Sequence, residues 1–151
     1  MPRYQPVTRA ELKTKTSPQP GVRALHDVVC WWMGPKGVRS GGIYSRRAVR
    51  GGTSWSLHAV GRAADFMCTV PVGKDIAARL IAAKDLLGVT EVIHNRTRWT
   101  EDKGCVPYRG SNPHTDHVHV GFSVDFAARP DTSEMRRWCT LAMFPELNGR
   151  I

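Results

Sequence analysis

The chain has 151 residues, the size of one domain, and its hydrophobic content of 41% is sufficient for a single core. It contains no run of about 18 or more apolar residues, so the sequence predicts no transmembrane helix. The formal net charge of +9 indicates either a solvated basic surface or an anionic partner, for which nucleic acid, a membrane surface and bacterial wall polymers all qualify.

The N-terminus and the cysteines indicate the cellular compartment in which the protein is made. Residues 1–6 have no apolar region of the kind found in secretory signals, which predicts synthesis in the cytoplasm and release with outside help, such as a phage holin. The cysteines include no Cys-x-x-Cys pair, which argues against a zinc ribbon. We expect free thiols inside the cell, although three complete disulfide pairings are possible after release, among Cys30, Cys68, Cys105 and Cys139.

In chain order, residues 1–20 are rich in Pro, Thr and Lys and are predicted to form an N-terminal arm with one helical turn near residues 8–12. Residues 21–151 are predicted to form a single domain. Its first helix, residues 21–33, has an apolar face at helical spacing, made of Leu25, Val28, Val29 and Trp32. His26 and Asp27 lie off that face and are expected at the surface.

Short strands are predicted at residues 42–44 and 65–67. A helix follows at residues 73–88 and ends at a glycine, with an apolar stripe of Ile76, Leu80, Ala83 and Leu87. Residues 90–94 are predicted to form a strand that pairs with residues 98–100. Its His94 is interpreted as a structural or pocket-wall residue, and Trp99 as a core residue or the wall of a groove.

A loop is predicted over residues 101–112, a half-buried strand at residues 117–122 and a last helix at residues 131–143. Asp131 or Thr132 is expected to cap this helix, whose inner face comprises Met135, Trp138, Cys139 and Ala142. This order of elements predicts an α+β domain. A small, mainly antiparallel sheet would carry a polar site on one face, with helices packed on the opposite face.

Three histidines and one carboxylate fall within residues 114–119. His117 and His119 alternate with valines, so they share one face of the predicted strand, and Asp116 lies at the strand's start. Neutral imidazole is a good zinc ligand, but such histidines are also often structural or solvated.

A second cluster, residues 56–65, has the pattern S-x-H-x-x-G-x-A-x-D. It offers His58 as a nitrogen ligand and Asp65 as an oxygen ligand. With His119 these make three protein ligands and leave a fourth position for water, which is typical of a catalytic zinc site rather than a structural one.

These two motifs in this order resemble the M15-type or LAS-type zinc peptidases, which include D-alanyl-D-alanine carboxypeptidases and phage endolysin peptidases. The resemblance covers residues 42–122, and the surrounding sequence is similar to the actinobacterial and actinophage branch. It implies a Hedgehog/DD-peptidase-like fold with zinc on His58, Asp65 and His119, and a catalytic carboxylate at Asp116, where many members have glutamate.

The resemblance also implies an arginine, upstream of the first histidine, that binds the carboxylate of the substrate. We favour Arg46 over Arg47, although these arginines and Arg50 are equally explained as solvated residues. Ser56 corresponds to a substrate-contacting serine in the family, and a local loop hydrogen bond explains it equally well. His117 is expected to contact the site or the substrate.

The resemblance implies a monomeric zinc hydrolase that acts on the cell wall by cutting peptidoglycan peptides, as a carboxypeptidase or an endopeptidase, for example a phage endolysin. Two alternatives belong to other classes. The first is a basic nucleic-acid-binding protein, for which the sequence contains no recognisable motif. The second is a zinc-containing wall-binding domain without activity.

Overall fold

The computed structural model describes residues 3–151 and has an α+β architecture, as predicted. One antiparallel sheet has the strand order β1-β2-β6-β3-β4-β5. Its strands are β1 (Arg39–Gly42), β2 (Ala63–Met67), β3 (Val89–His94), β4 (Thr97–Thr100), β5 (Gly104–Pro107) and β6 (His117–Phe122).

The longer helices of the described residues cover one face of this sheet. Helices α2 and α3 pack against the strands, and α6 packs against α2. Apolar side chains such as Phe66, Val118 and Val120 point into this layer and form the core. The helices are α1 (Arg9–Thr14), α2 (Pro20–Met33), α3 (Val70–Ala82), α4 (Lys84–Leu87), α5 (Val124–Ala127) and α6 (Ser133–Met143).

Most of the predicted helices are confirmed, with small changes at their ends. Helix α2 begins at Pro20, whose ring suits the first turn because that position needs no amide donor. The predicted helix over residues 73–88 starts earlier and is broken at Ala83 into α3 and α4, and Gly88 ends it in the left-handed conformation. Thr132 caps α6 by accepting a hydrogen bond from the Met135 amide.

Two strand predictions are wrong. The first strand lies at Arg39–Gly42 instead of residues 42–44, because pairing with β2 imposes it on a sequence of low strand propensity. The predicted loop over residues 101–112 contains β5, an edge strand held by β4. Its mixed Gly-Cys-Val-Pro sequence gives no alternation that would reveal a strand.

Three side-chain predictions are also wrong. Trp32, which the helical spacing assigns to the apolar face of α2, is 36% exposed. His26 is buried rather than at the surface, because its ring stacks on Phe66 and its Nε2 lies 2.8 Å from the hydroxyl of Ser40 on β1. Trp138 does not belong to the inner face of α6 but is 45% exposed, and it directs its indole N–H to the carbonyl of Leu86. Trp99 lies in the core.

The described part of the arm, residues 3–20, is held against the sheet by a buried arginine. Helix α1 contains the predicted turn, and a capping box between Thr8 and Glu11 begins it. Arg62 is fully buried, and its Nε lies 2.8 Å from Glu11 Oε1. Residues 1 and 2 of the predicted arm lie outside the described residues, and the division at residue 20 stays a prediction.

None of the helices in the described part of the chain has the length and apolar character needed to span a membrane. The four cysteines are free thiols, and only Cys139 is fully buried. Burial raises the pKa of the Cys139 thiol to about 12, so this side chain stays protonated in the core.

Candidate metal centre

The face of the sheet opposite the helices carries the histidine and aspartate residues that the sequence singled out. His58 reaches this face from a 3-10 turn, Leu57–Val60, which Ser56 begins by accepting a hydrogen bond from the His58 amide. The turn ends at Gly61, which has φ 69° and lies against the arm, so that a Cβ there would fall 2.2 Å from the carbonyl oxygen of Ser17. A glycine is therefore required for the turn that presents His58.

Asp65 and His119 are brought together by strand pairing. They lie directly opposite each other on β2 and β6, and residues in that relation have side chains on the same face of the sheet. A one-residue change of register would turn one of these side chains into the core. The apolar pattern of both strands therefore keeps Asp65 and His119 side by side on the same face.

The potential ligand atoms of these three residues converge on one point. The distance from His58 Nε2 to Asp65 Oδ1 is 3.1 Å, from Asp65 Oδ1 to His119 Nδ1 3.0 Å, and from His58 Nε2 to His119 Nδ1 3.2 Å. Ligands at the usual bond lengths around a tetrahedral ion are separated by roughly 3.3 Å. The triangle has the size of one face of such a tetrahedron, and this group could hold a metal ion.

Hydrogen bonding alone satisfies this triangle poorly. If both imidazole nitrogens carry protons, the two N–H groups meet each other across the 3.2 Å contact. If only one carries a proton, one imidazole has no hydrogen bond to Asp65. A cation bound by all three lone pairs removes this conflict, so the chemistry of the donors fits a metal ion.

Behind His119 lies a carboxylate that the sequence analysis did not assign to the site. The Nε2 atom of His119 lies 3.3 Å from Glu91 Oε1 on the neighbouring strand β3, and Arg98 on β4 binds the same carboxylate. Metal-binding histidines commonly donate their second N–H to such a group, which fixes the tautomer and the ring orientation. Glu91 therefore directs the Nδ1 lone pair of His119 towards His58 and Asp65.

Electrostatics couple these groups closely. Burial disfavours charge on His119, but hydrogen bonds to Asp65 and Glu91 raise its pKa to about 9. Burial also opposes ionisation of Asp65, yet hydrogen bonds from His119 and His58 hold its pKa well below the usual range, whereas burial lowers the pKa of His58. Without metal, His119 keeps a proton that an incoming cation must displace.

Asp116 and His117 stand beside the triangle, at the start of β6. The Nδ1–H of His117 donates to Asp116 Oδ1 over 2.7 Å, and this hydrogen bond lowers the pKa of Asp116. The side chain of Asp116 is 70% exposed, whereas that of His117 is 10% exposed. A buried imidazole thus holds an ionised, accessible carboxylate at the edge of the centre.

His114 adds a fourth imidazole. It has φ 54°, its ring centroid lies 4.5 Å from that of His117, and its Nδ1 donates to the carbonyl of Asn112 over 2.6 Å. Burial is the main reason that its pKa falls to about 4, so the ring is neutral at neutral pH. His94 lies elsewhere, with both ring nitrogens near the backbone carbonyls of Val70 and His117, as a structural histidine does.

These groups line an open depression of about 700 Å³, which we call the cleft. Its lining comprises the candidate metal ligands, Ser56, Glu91, Arg98, His114, Asp116 and His117, together with residues of the 47–56 segment and of the 103–112 segment. Arg47 and Arg50 line it too. Arg46 does not, because its guanidinium donates to the carbonyl of Leu12 in the arm and lies over the ring of Trp55.

Sequence reasoning therefore missed Glu91 and Arg98 and favoured an arginine that faces the arm. A signal for Glu91 exists, since it is a carboxylate inside a strand that otherwise reads as buried. Strand pairing then places Glu91 beside His119, because Glu91 lies opposite Gly121 on β6, two residues from His119.

Replacing Glu91 with glutamine tests its positioning role. Glutamine keeps the size of the side chain but removes the charge, and the affinity of this group for a divalent metal ion is expected to fall by about 10- to 100-fold. Competition with a chromophoric chelator measures this change. Glu101→Gln, outside the cleft, is the matched control, and an unchanged affinity in Glu91→Gln would contradict the role.

The region that contains the three candidate metal ligands matches a known protein family. The family model described as VldE, C-terminal domain, matches residues 14–119, which is well over half of the chain and includes His58, Asp65 and His119. A search of curated proteins found no match, and neither did a search of solved structures.

Proposed function

The chain belongs to the VldE C-terminal domain family, and we propose that it is a zinc metallopeptidase that hydrolyses stem or cross-link peptides of bacterial peptidoglycan. One observation carries the proposal. Three ligand atoms from His58, Asp65 and His119 form one face of a tetrahedron on the floor of an open cleft, with the carboxylate of Asp116 lining the same cleft. The resemblance of both motifs to M15-type peptidases supports this substrate class.

Two nitrogens and one carboxylate oxygen form a ligand set of the kind that catalytic zinc uses. A zinc ion held there would supply Lewis acidity, which acidifies a water molecule and polarises the carbonyl of the substrate. Glu91 keeps His119 oriented, and although burial opposes ionisation of Glu91, its contacts with His119 and, to a smaller extent, with Arg98 lower its pKa.

Asp116 is the proposed general base. Its carboxylate takes a proton from the attacking water and returns it to the leaving amine. Its lowered pKa keeps it ionised at neutral pH, and the hydrogen bond from His117 holds one of its oxygens in place. Neutral His114 stands beside this pair, where it limits solvent access to the His117 ring.

The positions of Arg47 and Ser56 in the cleft indicate their proposed roles. Arg47, rather than Arg46, is the proposed ligand of a substrate carboxylate, since it lines the cleft. Ser56 also lines it, while its hydroxyl caps the turn that carries His58. We propose that the protein acts as a monomer on the cell wall after holin-type release, as a phage endolysin does.

Replacing Asp116 with asparagine is expected to lower the rate of hydrolysis by about 100- to 10,000-fold, the usual contribution of a general base. Zinc binding is expected to persist, because the three ligand residues are unchanged. Release of muropeptide fragments from purified sacculi, identified by mass spectrometry, measures the rate and also identifies the bond that is cut. Asp125→Asn, at an exposed position of α5, is the matched control.

Two outcomes would count against the proposal. If the zinc-loaded protein binds sacculi and releases no fragments, the peptidase activity is refuted and a wall-binding domain is indicated. If Asp116→Asn releases the same fragments at the same rate as the unaltered protein, Asp116 is not the base.

A further inference from the structure

The N-terminal arm reaches the cleft through the side chain of Tyr4. This residue is half-buried and forms part of the lining of the cleft. The guanidinium carbon of Arg98 lies over the Tyr4 ring, 5.3 Å from its centroid. The negative face of an aromatic ring attracts a cation at distances of up to about 6 Å. The arm therefore contacts the arginine that binds Glu91.

Arg98 is connected to the candidate metal centre through one carboxylate. It lies opposite Ile93 on β3, so Glu91, two residues away, is its diagonal neighbour on the same face of the sheet. The Nε–H of Arg98 donates to Glu91 Oε2, whereas Glu91 Oε1 lies 3.3 Å from His119 Nε2. Glu91 thus contacts Arg98 with one oxygen and His119 with the other, and a change in the position of Arg98 is transmitted to His119.

The fold determines the position of Tyr4, because the next residue is held at two points. The carbonyl of Gln5 accepts a hydrogen bond from the fully buried Arg62 over 2.9 Å. The side-chain Oε1 of Gln5 accepts another from the backbone amide of Val124, also over 2.9 Å. The backbone beside Tyr4 is therefore fixed to the domain, and the ring is held over Arg98.

The Arg98–Glu91 pair has one partner that water can reach. The side chain of Arg98 is 31% exposed, whereas that of Glu91 is 9% exposed. Exposed ion pairs contribute little, since water competes for the charges and two side chains must be kept in one geometry. The Tyr4 ring covers one face of the guanidinium and restricts its motion. Burial and, to a smaller extent, the charge of Glu91 raise the pKa of the Tyr4 phenol, so the ring adds no charge at neutral pH.

We propose that Tyr4 is a positioning residue of the candidate metal centre, which acts on His119 through Arg98 and Glu91. The ring holds Arg98 against Glu91, and Glu91 in turn keeps the Nδ1 lone pair of His119 directed towards the other two ligands. The arm is then part of the metal centre and not only an anchor of the fold. The proposal rests on the metal centre and does not require the peptidase function.

The affinity for Zn²⁺, measured by chelator competition without any peptide, tests the proposal. Tyr4→Ala is expected to weaken zinc binding by about two- to fivefold, which is the contribution of an exposed contact between a cation and an aromatic ring. Tyr4→Phe should keep the affinity, because the guanidinium lies over the ring and does not need the hydroxyl. Tyr4→Leu should lose as much as Tyr4→Ala, because leucine is apolar but has no aromatic face.

Combination with Glu91→Gln tests the route by which Tyr4 acts. Glutamine does not attract the guanidinium by charge, so Arg98 no longer transmits the effect of the ring to His119. Tyr4→Ala is therefore expected to cause no further loss of zinc affinity in the Glu91→Gln variant. Equal losses with and without Glu91 would overturn the proposal, since Tyr4 would then act independently of this carboxylate.

Val7→Ala is the control, because Val7 is a half-buried residue of the same arm that does not line the cleft. This variant should bind zinc as the unaltered protein does, even if its unfolding midpoint falls. An unchanged affinity in Tyr4→Ala, or a similar loss in Val7→Ala or Tyr4→Phe, would overturn the proposal.

The positioning role and the peptidase function fail separately. The expected zinc affinities without any release of muropeptides would refute the peptidase and keep the role of Tyr4. Release of muropeptides combined with an unchanged zinc affinity in Tyr4→Ala would keep the peptidase and refute the role of Tyr4. If the unaltered protein binds no zinc, the proposal is overturned together with the metal centre.

Discussion

Replacing His58 with alanine is expected to lower the affinity for zinc by more than about 100-fold and to abolish hydrolysis. Loss of an outer partner of a metal ligand costs roughly 10- to 100-fold, so loss of a ligand itself costs more. Only two of the three ligand atoms then remain, Asp65 Oδ1 and His119 Nδ1, which lie 3.0 Å apart. Elemental analysis after dialysis, together with chelator competition, measures the effect.

His26→Ala is the matched control for this variant. His26 is also a buried histidine, but it stacks on Phe66 on the helical side of the sheet, away from the cleft. This variant should keep about one zinc ion for each chain, even if its unfolding midpoint falls. Equal zinc content in His58→Ala and the unaltered protein would show that the ion is bound elsewhere.

Replacing Arg62 with alanine is expected to destabilise the protein by about 3–5 kcal/mol, the usual cost of removing one partner of a buried ion pair. Arg62 is fully buried, is paired with Glu11, and donates to the carbonyls of Phe122 and Gln5 over 3.0 and 2.9 Å. Its loss leaves a buried carboxylate and these carbonyls without their donor. Denaturation by urea measures the change in the free energy of unfolding.

Two further variants separate the causes of this loss. The double variant Arg62→Met with Glu11→Leu should recover much of the stability, because no charge is then left uncompensated in the interior. Arg136→Ala removes the ion pairs with Asp27 and Asp131 that are formed by an arginine side chain 42% exposed, and it should cost about 1 kcal/mol or less. A similar cost for Arg62→Ala and Arg136→Ala would contradict the anchoring role of Arg62.

The fold was predictable where the chain repeats a strong local pattern. Alternation of valine with His117 and His119 identified β6, and an apolar stripe identified α2 and α3. Edge strands β1 and β5 were misplaced or missed because pairing with a neighbour, rather than their own composition, makes them strands.

The candidate site was predictable only in part, for a similar reason. Residue type and spacing singled out His58, Asp65 and His119, and the structure brings these three together. Glu91 escaped notice because its contact with His119 depends on the pairing of β3 with β6, which no local pattern encodes. The orientation of Arg46 depends on a contact with Leu12 in the arm, which is equally non-local.

The most direct test of the account is an anomalous-diffraction map of zinc-loaded crystals. We expect one ion at about 2.0–2.2 Å from His58 Nε2, Asp65 Oδ1 and His119 Nδ1, with its remaining coordination position open to the cleft and free of protein atoms. An ion closed off by a fourth protein ligand, or an ion bound away from these three atoms, would contradict it.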